Sequence, residues 1–147
     1  MELKNLMVDT KAAWIEFPGL HGFEVEVVNL SRKELTALRK RCISSKFDRK
    51  SRQIVEDLDE DKFVTEFSAA VIKSWKGLTL SHLETLLLID TGGKDLEETL
   101  PYTKENAEVL VASSTEFDTW LNEVVFDLDN FRAGAERTMP KKAGEAV

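Results

Sequence analysis

The chain has 147 residues, of which 42% are hydrophobic and 32% are charged, and these proportions predict one globular domain and argue against a disordered chain. The formal net charge of −7 at pH 7 argues against general nucleic-acid binding. Because there is no apolar run near the roughly 20 residues that cross a bilayer, no signal-peptide pattern and only one cysteine, we expect a protein of the reducing cytoplasm with neither a membrane span nor an internal disulfide.

The first predicted element is a β-hairpin at residues 13–28. Phe23, Val25 and Val27 alternate with glutamates, which is the period of two expected of a half-buried strand. The preceding residues 14–17 are also typical of a strand, and the Pro-Gly pair after them suits the centre of a turn.

A helix is predicted directly after Ser31. Ser31 and Glu34 form a capping-box pattern, in which each side chain can satisfy a backbone group of the first helical turn. Residues 46–53 are polar and basic, so we predict a loop there.

A second helix is predicted to begin near the acidic residues 57–61. Carboxylates are favourable at this end of a helix because its dipole is positive there. Apolar residues then recur at every fourth position from Phe63 to Trp75. This spacing predicts one helix as far as Trp75, ended by Gly77.

Three more helices are predicted further along the chain. Ser81 begins a capping pattern for a short helix that runs to about Leu88. Thr103 is suited to cap the start of the next helix. Residues 113–116 start the last helix, whose apolar residues recur at helical spacing as far as Phe131.

The fold class predicted from these elements is mainly α. We expect four or five helices around one core, with a small N-terminal β-hairpin, in a single domain that spans residues 1–132. The helical part covers residues 31–132. Residues 133–147 show no apolar period, so we predict a flexible C-terminal tail.

Short motifs that resemble catalytic or metal sites lack the surroundings that such sites need. Asp90-Thr91-Gly92 follows two apolar residues, as in dimeric aspartic proteases, but its predicted neighbours are helical and no glycine-rich flap is visible. The acidic residues 57–61 open like a calcium loop, without the glycine and the glutamate that complete one. His21 and His82 have no cysteine at zinc spacing. We therefore expect no catalytic, cofactor or metal site, and no enzyme.

Two segments are candidate binding surfaces. Residues 32–52 hold nine Lys or Arg and two acidic residues within an acidic chain, so they either pair with acidic groups or form a solvated helix and loop. The four successive apolar residues 86–89 form either a partner surface or a helix buried on all sides. The predicted contact residues are Leu83, Leu86, Leu87 and Ile89, with Arg39, Lys40 and Arg41 meeting acidic partners.

Three motifs follow one another in a fixed order. Trp75-Lys76-Gly77 precedes the helix start Pro101-Tyr102-Thr103-Lys104-Glu105-Asn106, and a helix with the aromatic residues Phe117, Trp120 and Phe131 comes next. In this order, over roughly residues 60–132, the chain resembles the tail assembly chaperones of long-tailed, siphovirus-type bacteriophages. The spacer between the first two motifs is longer than is usual in that family.

This resemblance implies a function in virus assembly. It implies a chaperone in the host cell cytoplasm that coats the tape measure protein, helps to recruit subunits of the major tail tube protein, and is absent from the mature virion. It also implies a homo-oligomer. The alternatives are a structural tail completion or connector protein of the virion, and an acidic inhibitor of a host enzyme, against which the basic segment argues.

The resemblance further implies a frameshifted longer form of the protein. A slippery site would arise if Lys141-Lys142 were encoded as AAA-AAG after a codon that ends in A. We expect the nucleotide sequence to show these codons, and AAG-AAA at the same place would exclude the hypothesis.

Overall fold

The computed structural model describes residues 1–7 and 11–132, and the predicted C-terminal tail lies outside them. Over this part of the chain the fold is α+β, with five α-helices and five strands in two antiparallel sheets, so the prediction of a mainly α fold is wrong. None of the helices described is long and apolar enough to cross a membrane. In chain order the elements are β1 (Ala12–Glu16), β2 (Glu24–Val28), α1 (Arg32–Arg41), β3 (Ile43–Asp48), β4 (Gln53–Leu58), α2 (Glu60–Val71), β5 (Ile72–Lys76), α3 (Leu80–Leu86), α4 (Lys104–Ser113) and α5 (Thr115–Val125), with short 3-10 helices at Leu3–Asn5 and Leu128–Phe131.

The larger sheet has the strand order β1–β2–β5. β1 and β2 pair antiparallel in the segment where the sequence indicates a hairpin. The pairing of β5 was not foreseen, because the sequence predicts one continuous helix as far as Trp75. That helix, α2, ends at Val71, and the next residues extend along β2 with Trp75 opposite Val25. The spacing of four residues fits both a helix and this turn from helix into strand.

Within residues 1–7 and 11–132, the smaller sheet consists of β3 and β4. The predicted loop at residues 46–53 is instead the outer part of this hairpin, in which Phe47 lies opposite Ile54. The basic and polar residues among them concealed the strand pattern. The predicted helical part, residues 31–132, therefore contains three strands.

The core lies between one face of the larger sheet and the helices. Val25 and Val27 on β2 are fully buried, whereas the glutamates that alternate with them are half-buried. Three aromatic rings join the sheet to α5, because Phe117 stacks 6.0 Å from Phe17 and 6.2 Å from Phe23, measured between ring centroids. Trp120 and Phe131, predicted on the same apolar stripe, are also buried.

The helix starts follow the predicted caps in most cases. Ser31 and Glu34 form the expected capping box, and the hydroxyl of Thr103 accepts from the N–H of Asn106 at 3.0 Å. The short helix α3 begins two residues earlier than predicted. Its cap is Thr79, which accepts from the N–H of His82 at 3.1 Å. Asp59 caps α2, which explains part of the acidic run before it.

Gly77 ends β5 and not the predicted helix. Its φ of +75° is in the left-handed region, where a side chain adds strain. A methyl carbon at this position would also overlap the backbone carbonyl of Gly22, so the chain approaches itself too closely here for any other residue.

We expect Gly77→Ala to lower the free energy of unfolding by about 3 kcal/mol or more, because backbone strain and overlap add together. Gly92→Ala is the matched control, since its φ is +62° and nothing lies within 4 Å of an added methyl carbon. The control should cost about 1 kcal/mol from strain alone. Urea denaturation of both variants measures the difference, and equal losses would contradict the close contact.

Candidate protein-interaction site

The β3–β4 hairpin, residues 43–58, extends from the body of the protein and is called the arm below. Its side chains are exposed on both faces, apart from Asp48 and Leu58, which are half-buried. Its strands contact chiefly each other. A segment that is ordered as a ribbon yet buries so little is a candidate for binding another molecule.

One face of the arm, called the apolar face below, carries most of its large apolar side chains. The register places Ile43 opposite Leu58 and Phe47 opposite Ile54 on the same face, because alternate residues of a strand share a side. The side chains are strongly exposed, with 63% of Phe47 and 72% of Ile54 accessible to water. The polar pair Ser45 and Glu56 lies between the two apolar pairs on this face, and neither apolar pair has a partner in the described residues.

The tip of the arm is held by Asp48. Its carboxylate accepts from the N–H of Lys50 and from the hydroxyl of Ser51, each at 3.0 Å. Its backbone carbonyl accepts from the N–H of Arg52 at 2.7 Å, and Arg52 has a φ of +57°. The turn thus holds Arg49, Lys50 and Arg52 exposed at the end of the apolar face.

The three basic residues predicted to meet acidic partners lie at the other end of the arm, in the last turn of α1. There they are also favoured by the negative end of the helix dipole. The guanidinium of Arg39 lies 5.2 Å from the ring centre of Phe63, and Arg41 pairs with Glu66 at 3.2 Å. Both partners belong to α2, so part of the basic segment pairs with its own chain. Lys40 is exposed.

The four apolar residues predicted as contacts are divided between core and surface. Leu83 and Leu86 are buried in the main core, Leu87 is half-buried against it, and Ile89 is exposed. Leu88, between the last two, is fully exposed. The helix α3 ends at Leu86, so the apolar run 86–89 leaves the core as an extended chain. Only its outer residues retain surface for a partner.

The first two of the three motifs that carry the family resemblance meet in one structural joint. The indole N–H of Trp75 donates to the carbonyl of Leu100 at 3.0 Å, and its ring packs edge-on against Tyr102 at 5.3 Å. The hydroxyl of Tyr102 donates to the carbonyl of Ile72 at 3.3 Å, and Asn106 donates to the carbonyl of Pro101. These residues fasten the start of α4 to β5. Their contacts are structural, and none of them belongs to the arm.

The motifs that resembled catalytic and metal sites form turns and helix starts. Asp90 accepts from the N–H of Gly92 at 2.9 Å, as in a local turn. In the described part of the chain, no three His, Cys, Asp or Glu side chains lie together as metal ligands would.

A second apolar surface lies beside the last helix. Leu35, Phe126 and Leu128 line a groove of about 480 Å³, and Phe126 and Leu128 are exposed. This groove was not foreseen, because the helical spacing of apolar residues as far as Phe131 predicts that Leu128 is buried. It is a weaker candidate for a binding surface than the arm, because it lies against the body of the protein.

No protein-family model, no curated protein and no solved structure matches this chain. The candidate site therefore rests on its own geometry.

The sequence indicated the basic character of residues 32–52 but did not predict the apolar face of the arm. The available signal was the separation of Phe47 and Ile54, which are seven residues apart on either side of a polar turn.

The pKa of Tyr102 can be measured directly, because Tyr102 is the single tyrosine of the chain. Burial, and secondly the negative charge of Glu105, raise the pKa of its phenol above the ordinary value of 10.0. The folded protein thus holds this proton more tightly than the unfolded chain does. The resulting stabilisation is complete below pH 10 and is lost as the pH rises through the folded pKa.

We expect tyrosinate absorbance to show a higher pKa in the folded protein than in the same protein unfolded by urea. Glu105→Gln should lower the folded pKa only part of the way, because burial is the larger cause. A folded pKa at or below the unfolded value would contradict the packing of Tyr102.

Proposed function

We propose that this protein is a tail assembly chaperone of a long-tailed bacteriophage. In this proposal it binds the tape measure protein and helps to recruit subunits of the major tail tube protein in the host cell cytoplasm. The observation that carries the proposal is the exposed apolar face of the arm. The order of the three motifs supports the choice of family.

The arm suits the temporary shelter of an apolar client. Long helices with an apolar stripe aggregate unless that stripe is covered, and an exposed apolar face can cover it without any chemical step. The face offers Phe47 and Ile54 as an adjacent pair, and Ile43 beyond the polar pair Ser45 and Glu56, on a ribbon that can approach a helix from the side. No bond to the client has to be made or broken.

The size of this face predicts weak binding by one arm. Its exposed apolar side chains amount to an area on the order of 300 Å². At about 25 cal/mol per Å², burial contributes about 7 kcal/mol, which association costs of about 4–15 kcal/mol largely offset. A chaperone that must leave before the virion is finished requires such reversible contacts, and several arms along one client would raise the total affinity.

The charges of the arm suit an acidic client segment. Arg49, Lys50 and Arg52 lie in the turn at the outer end of the apolar face, and Lys46 lies on the opposite face. Exposed charges of this kind mainly increase the rate of encounter and discriminate among partners. The chain is acidic overall, so the basic tip gives the client-binding end a charge opposite to that of the rest of the protein.

We expect co-expression with this protein to keep the tape measure protein in the soluble fraction. Phe47→Ser combined with Ile54→Thr should weaken binding about tenfold or more, because losing about 1.4 kcal/mol of binding free energy lowers affinity tenfold. The matched control is Leu96→Ser with Val109→Thr, which removes exposed apolar groups elsewhere. Sedimentation of lysates and pull-down of the client measure both effects.

Two results would contradict the proposal. The first is a tape measure protein that is equally insoluble with and without this chain. The second is the detection of this chain by mass spectrometry as a regular component of purified mature virions, which would favour the structural tail protein instead. If both double variants lost activity equally, the arm would have no special role in client binding.

A further inference from the structure

The arm is an incomplete sheet. A lone two-stranded ribbon is only marginally stable in water, and three or more strands or a packed helix are needed for independent stability. β3 and β4 form a sheet of two strands, and no other strand of the described residues pairs with either edge. Both faces are also exposed. An additional strand from another molecule would therefore stabilise this ribbon.

The hydrogen-bonding groups on each edge follow from the register. The N–H of Asp59 donates to the carbonyl of Cys42 at 2.8 Å, so these two residues form a hydrogen-bonded pair of the ladder. Hydrogen-bonded and non-hydrogen-bonded pairs alternate along antiparallel strands. On β4, the backbone groups of Ile54, Glu56 and Leu58 therefore point outward, and they are available to a new strand.

Charge selects which edge can pair with a second copy of the same edge. β3 carries Lys46 and lies between the basic groups 39–41 and 49–50, so two β3 strands would repel each other. Arg52 directly precedes β4, and Glu56 and Asp57 lie near the end of that strand. Two β4 strands in antiparallel orientation place the basic end of each beside the acidic end of the other.

We propose that two copies of this chain pair through antiparallel β4 strands, about a two-fold axis at Val55, to form a four-stranded sheet. Ile54 of one copy then lies opposite Glu56 of the second, so that their outward backbone groups meet. Arg52, in the turn just before β4, is then brought near Glu56 of the second copy. Centring the axis one residue later would oppose Glu56 to itself, and like charges directly opposite are destabilising.

This pairing enlarges the apolar face of the arm. Both copies direct Phe47 and Ile54 to the same side of the sheet, because the register keeps alternate residues in phase. The joined surface has twice the apolar side chains of one arm, while the edges of β3 stay exposed to water. Dimer formation is measured without any client, so it succeeds or fails independently of the chaperone proposal.

A single cysteine at the axis tests the arrangement. Val55 would face its own copy in a non-hydrogen-bonded pair, where Cα atoms are about 4.5 Å apart and a disulfide fits. The full-length Val55→Cys variant should give a disulfide-linked dimer under mild oxidation. Gln53→Cys is the control on the same face, because the two copies of position 53 would be about 13 Å apart. The native Cys42 is 1% exposed and does not compete.

Crosslinking of Val55→Cys that is no faster than that of Gln53→Cys would overturn the proposal. Sedimentation equilibrium of the unmodified protein provides the second readout. A dimer of the 16.7 kDa chain is expected, and either a monomer throughout or open-ended growth would overturn it.

Exchange of the charges tests the register. Arg52→Glu and Glu56→Arg should each weaken the dimer about tenfold, whereas the double variant that carries both changes should restore it. The arm contributes nothing to the main core, so the melting temperature of the body reports whether each variant is folded. A double variant as weak as either single one would overturn the proposed contact between Arg52 and Glu56.

Discussion

The antiparallel pairing of β5 with β2 is the constraint on which the rest of the structure depends. It places Trp75 opposite Val25, in the buried face of the sheet, and from there the indole reaches the carbonyl of Leu100. That hydrogen bond and the packing of Tyr102 fix the start of α4. Since α4 packs on α2 and leads directly into α5, the position of one strand determines where the three helices of the core lie.

Patterns among residues close together in the sequence predicted more of the fold than patterns among distant residues did. The caps at Ser31 and Thr103 depend on residues three positions apart, so they can be identified without knowledge of the fold. The partner of β5 lies about 50 residues earlier, and no local pattern indicates it. Trp75 fitted the apolar stripe of α2 by spacing alone, which is why the strand was assigned to the helix.

The candidate site was harder to predict than the core. Apolar periodicity identifies residues that face the interior, whereas Phe47 and Ile54 face water and are separated by a basic turn. The basic segment was noticed, but its charges have different roles: Arg41 pairs with α2, while the residues of the tip stay exposed. Leu83 and Leu86, predicted as contact residues, are buried in this structure, because a short helix that packs in the core can have the same composition as an exposed apolar run.

The division between body and arm explains how one small protein can combine stability with a large exposed apolar face. The body buries its aromatic rings around Phe23 and Phe117, both of which are fully inaccessible to water, and no residue of the arm belongs to this core. The edge and the face of the arm are therefore two different surfaces, which can bind different partners. Its edge presents backbone groups that only another strand satisfies, and its face presents side chains that any apolar stripe can cover. Because the proposed edge pairing leaves the face open, it would not compete with the proposed binding of a client, and it would enlarge the surface available to that client.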